Sequence, residues 1–210
     1  MPTDPNMITR HPLGLPRGSV RAVLSILILG LFWTILLLPK SMEPEGQPLK
    51  VPMFLYFLTG VIVLFLFGGG RPDDEASVWR IVARLFVIGG TLAVIGLQLY
   101  RYPEQTMDRL KPGPEQIQQW PALVIAVLAG FGVAGIARLG PWRRWPAFQD
   151  VQAWLSLLAM LALGIEVMVL LLINPNLKDH PPINLTGLEV ALTALVACYF
   201  GTRAGAGARS

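Results

Sequence analysis

Residues 151–173 read VQAWLSLLAMLALGIEVMVLLLI. At 1.5 Å rise per residue, a helix of this length covers about 34 Å, enough to cross a hydrocarbon core of about 30 Å. Its one charged residue is Glu166, about two-thirds of the way along. A carboxylate at that depth costs on the order of 2–3 kcal/mol on insertion scales unless it is paired, protonated or hydrated. The helix is therefore expected to turn Glu166 inward. Gln152, Ala159 and Ala162 share that face, while Leu157, Leu161, Met168 and Leu171 lie opposite. Small and polar residues on one side, with bulky aliphatics on the other, suit a helix between protein and lipid.

The composition agrees with a membrane solvent. The 210 residues are 53% hydrophobic and 14% charged, where a soluble domain carries about 25% charge. Mean hydropathy is +0.55. The excess of basic over acidic residues is read as an orienting signal, and no nucleic-acid partner is expected. A lone cysteine, Cys198, excludes an intramolecular disulfide and any multi-cysteine metal site. The preference for Arg over Lys, with much Ala, Gly and Pro, points to a GC-rich bacterial genome.

Working outward from residues 151–173, five further apolar runs appear. The predicted fold is all-α: a polytopic bundle of six transmembrane helices at about 20–38, 51–67, 78–100, 120–139, 151–173 and 185–202. Residues 1–19 form a proline-rich arm, because proline lacks the backbone donor that helices use. The first run is longer than a typical signal-peptide core and has no small-residue cleavage site after it, so it reads as a retained anchor. The connection 101–119 is the longest, with a turn at Lys111-Pro112-Gly113-Pro114 and a polar helical lead-in at 115–119. Residues 203–210 form a short tail.

Counting basic residues orients the bundle. Eleven fall on the N-terminal side: Arg10, Arg17, Arg21, Arg71, Arg80, Arg84, Arg138, Arg143, Arg144, Arg203 and Arg209. Six fall opposite: Lys40, Lys50, Arg101, Arg109, Lys111 and Lys178. The richer side is expected to be cytoplasmic, which puts both termini inside, in a bacterial inner membrane.

Two candidate sites emerge. Glu189 lies about 8 Å into the sixth span and Glu166 about 12 Å in from the same outer side. Sequential antiparallel helices are usually neighbours. Two carboxylates that close would share a proton, and the pair would carry protons or hold a cation. The plainer reading makes Glu189 a first-turn acid favoured by the helix dipole, with Glu166 paired to Arg101 or hydrogen-bonded to Gln98. The second candidate is Trp142-Arg143-Arg144-Trp145, with Arg138 one turn earlier. Indoles favour the headgroup level and arginines favour anionic headgroups, so this stretch is a candidate for a specific lipid or partner contact, with ordinary interfacial anchoring as the plainer reading.

Small residues recur at helical spacing: Gly89, Gly90, Ala93 and Gly96; Ala126, Gly130 and Ala134; Ala194, Ala197, Cys198 and Gly201. They allow close packing within the bundle or against other membrane subunits, another copy included. Catalytic machinery is hard to assemble. His11 and His180 lie outside the spans, Ser25 and Ser156 lack a buried base, and no phosphate-cradling glycine loop appears. No cofactor or metal is expected. A non-catalytic scaffolding or accessory subunit of a membrane complex is the first reading of function. The alternative is a small proton- or cation-coupled transporter or channel using Glu166 and Glu189.

Overall fold

The computed structural model describes residues 19–39, 49–67, 76–139, 146–176, 183 and 185–203. These residues are almost entirely helical and include no strand. Seven α-helices are described: α1 Ser19–Leu37, α2 Met53–Phe67, α3 Ala76–Arg101, α4 Pro103–Leu110, α5 Pro114–Leu139, α6 Pro146–Met168 and α7 Thr186–Arg203. A π-helical turn, Val169–Ile173, and a 3-10 turn, Asn174–Asn176, extend α6. Most of the expected arm and tail, residues 1–18 and 204–210, lie outside the described residues.

Among the described residues, two helices are long and apolar enough to cross a membrane. One is Pro114–Leu139, with mean hydropathy 2.2, and the other is Trp154–Ile173, with 2.6. Ala22–Leu37, Met53–Phe65, Leu85–Arg101 and Thr186–Thr202 are apolar but shorter.

The helix starts follow local chemistry. Pro52 precedes α2, and the Leu55 N–H donates to the Pro52 carbonyl at 3.1 Å. Pro103 and Pro114 open α4 and α5, where the absent N–H removes a donor that a first turn leaves unpaired anyway. Within residues 101–119, α5 starts at Pro114 and takes in the expected helical lead-in at 115–119. The difference is α4, which follows α3 at once where a loop was expected. Pro121 sits inside α5 and leaves the Ile117 carbonyl without its helical donor.

The bundle is centred on α7, which packs against α5, α6 and α2. Leu58 and Ile62 from α2, Leu123 from α5, Leu163 from α6, and Leu192, Val196 and Phe200 from α7 belong to one buried cluster. Phe65 stands 5.7 Å from Phe131 and 5.6 Å from Phe200, ring centre to ring centre, and so ties α2, α5 and α7 together. α3 sits at the edge, against α1, α2 and α4. There Trp33 Nε1 donates to Thr91 Oγ1 at 3.1 Å, and the indole lies over Gly90, where a Cβ would come within 3.0 Å of the ring.

α5 and α7 run parallel in a fixed register. Gln119 donates to Thr186, Gly130 meets Ala197, and Ala134 meets Gly201, each pair offset by 67 residues. A Cβ at Gly130 would strike the Ala194 carbonyl oxygen and come within 2.9 Å of the Cys198 amide. This small-residue seam lets two backbones touch. In lipid, where burial offers little driving force between helices, such contact supplies the attraction.

Candidate functional site

Glu166 is placed by the apolar periodicity of α6. Ala159, Ala162 and Leu163 are buried on its side, while Leu157, Leu161 and Met168 are exposed. Glu166 itself is 2% exposed, and its buried Oε2 accepts no hydrogen bond. One turn further on, α6 widens into the π-helical turn 169–173. Such turns recur beside functional sites.

Glu189 enters from the first turn of α7, where the helix dipole favours an acid. Its N–H donates to the Leu185 carbonyl, and its own carbonyl accepts from Thr193 Oγ1 at 2.7 Å. The Glu166 and Glu189 carboxyls stand against each other, close enough for side-chain hydrogen bonding. Carboxyl groups in contact have no donor between them unless one carries a proton.

The other two members of this proposed group lie elsewhere. Arg101 is exposed in the last turn of α3, and Gln98 is half-buried one turn before it. Neither makes a hydrogen bond or ion pair with Glu166 among the described residues. The reason is the position of α3, which packs at the edge beside α1, α2 and α4. Arg138 is exposed in the last turn of α5, and Trp142, Arg143, Arg144 and Trp145 lie outside the described residues. The side chain of Gln152 and both histidines are likewise outside them.

A buried group that the sequence reading missed is Arg109. It is 2% exposed, and its Nη1 donates to the carbonyls of Ile35 at 3.0 Å and Leu36 at 2.8 Å. These belong to the last turn of α1, which has no basic residue of its own. A cation there satisfies orphan carbonyls and complements the negative end of the helix dipole. Around it, the Val51 N–H donates to the Arg109 carbonyl at 3.0 Å, and Tyr56 Oη donates to the Leu110 carbonyl at 2.9 Å. α4 is thus a plug that joins the end of α1 to the start of α2. The available signal was an apolar helix ending at Leu37 without a basic residue, with Thr106 and Arg109 on one face of a polar segment.

A second clasp closes the junction between α6 and α7. Asn174 Oδ1 accepts from the Ile183 N–H at 2.9 Å, and its Nδ2 donates to the Ile183 carbonyl at 3.3 Å. An open groove of about 420 Å³ lies on α4, lined by Pro103, Glu104, Met107, Asp108 and Lys111, and shares no lining residue with the two glutamates. Among the described residues, no three His, Cys, Asp or Glu side chains converge as a metal site would require. Compared with known protein families, curated proteins and solved structures, the chain matches none.

Proposed function

We propose that the chain is a polytopic inner-membrane protein of six spans with cytoplasmic termini, acting as a non-catalytic scaffolding or accessory subunit. Support for the membrane setting comes from the exposed apolar side chains. Leu85, Phe86 and Leu92 on α3, Ile125, Leu128 and Ile136 on α5, and Leu158, Leu161 and Ile165 on α6 all face outward. In water such faces would drive association; in lipid they are the solvated surface.

One observation carries the subunit reading. Gly130 and Ala134 of α5 are filled by Ala197 and Gly201 of α7, whereas Gly89 and Gly96 of α3 meet no neighbouring helix. Gly89 and Gly96 have open space where a Cβ would stand, and Ala93 between them is exposed. The partner that fits is another transmembrane helix, from a different subunit or from a second copy. The basic turn around Arg143 and Arg144 holds anionic headgroups on the cytoplasmic side.

The test is purification in native lipid, wild type beside the double variant Gly89→Leu, Gly96→Leu. The wild type is expected in a stoichiometric complex or oligomer that the variant loses at unchanged abundance. A wild-type monomer, or a complex indifferent to the substitutions, contradicts the reading.

A further inference from the structure

We infer that Glu166 and Glu189 form a proton-binding site entered from the outer face, in which one proton is shared by two carboxyls and exchanged through Glu189. Three observations converge. Glu166 is almost wholly buried in an apolar helix and has an oxygen with no hydrogen-bond partner. Its carboxyl stands against a second one. That second carboxyl lies in the first turn of α7, half-buried, beside exposed Gly187.

Among the described residues, no cation is placed to neutralise the pair. Of the elements packed against α6 and α7, α1 offers no titratable side chain over residues 22–37. α2 offers Tyr56, which is already donating to the Leu110 carbonyl. α5 offers Glu115 and Arg138, exposed at opposite ends of the helix. On α7, Cys198 and Tyr199 lie about 13 Å or more further along. The contact is therefore carboxyl against carboxyl. A proton suits it better than a metal ion, which asks for about six oxygen ligands. Thr193, the nearest further hydroxyl on α7, already donates to the Glu189 carbonyl.

The step balances simply. Glu189 takes a proton from hydronium at the outer surface and releases water. That proton then passes to the Glu166 carboxylate as one O–H bond breaks and another forms, which leaves one proton on the pair and the negative charge on Glu189. Entry from the outer face rests on the orientation proposed above; the dyad itself is independent of the subunit reading, because it lies on α6 and α7 and the open seam lies on α3.

The measurement is infrared spectroscopy of the full chain in lipid nanodiscs at neutral pH. Wild type is expected to show a protonated-carboxyl carbonyl band that Glu166→Gln removes. In Glu189→Gln the band is expected to remain, with its exchange in D2O slowed roughly 10²-fold. If Glu166→Gln does not assemble, Glu166→Asp keeps the acid and is expected to shift the band. The inference is overturned by a wild type without the band, by a band that neither Glu166 substitution alters, or by unchanged exchange in Glu189→Gln.

Discussion

A guanidinium buried among apolar side chains is costly unless its donors are taken up. Arg109 meets that condition by donating to Ile35 and Leu36, so its removal strands the end of α1 as well as α4. Hydrogen bonds from charged donors are worth about 1.5–3 kcal/mol. Arg109→Met is therefore expected to lower thermal stability by about 2 kcal/mol or more, read as an unfolding shift in detergent or nanodiscs. Arg109→Lys, with one compact ammonium, recovers part of the loss. A melting curve unchanged in Arg109→Met would mean that the plug is not anchored through this side chain. Glu166→Gln is expected to be nearly silent for stability, because an amide keeps the shape and supplies a donor to Glu189.

At the scale of elements, the parallel α5–α7 seam makes opposite predictions for two glycines on one helix. Gly130→Ala places a methyl against the Ala194 carbonyl and the Cys198 amide, and backbone cannot step aside as a flexible side chain would. Overpacking of this kind costs about 1–3 kcal/mol. Gly132 has nothing within 4 Å of its absent Cβ, so Gly132→Ala is expected to be neutral or to stabilise by up to about 1 kcal/mol through helix propensity. Equal effects at both sites, measured by thermal unfolding, would contradict the register. The apolar helices were legible because runs such as 120–139 and 151–173 leave a helix as the only way to pair the backbone in lipid. α4 was not legible. Its eight residues are mostly polar and bracketed by prolines, and they are held by carbonyls of α1 and by Tyr56, contacts distant in sequence. The π-helical turn was equally invisible, since VLLLI suits an α-helix as well.

At the scale of the whole molecule, depth and neighbourhood were unequally readable. Depth follows from counting residues, and it set Glu166 and Glu189 on a common level. Neighbourhood depends on how helices are arranged around one another. Arg101 and Gln98 lie near the end of α3 expected on the same side, yet α3 packs at the edge while α7 takes the centre. No local pattern encodes that choice; it follows from the α5–α7 seam and the aromatic contact of Phe65, Phe131 and Phe200. Orientation rests on the asymmetry of eleven basic residues against six. The most direct test of six spans with cytoplasmic termini is thiol accessibility in a Cys198→Ala background. Single cysteines are placed at Ser41, Ala147 and His180, and an impermeant reagent is added outside intact cells. The account predicts labelling at 41 and 180 and none at 147; the reverse pattern, or position 147 behaving like either of the others, would contradict it.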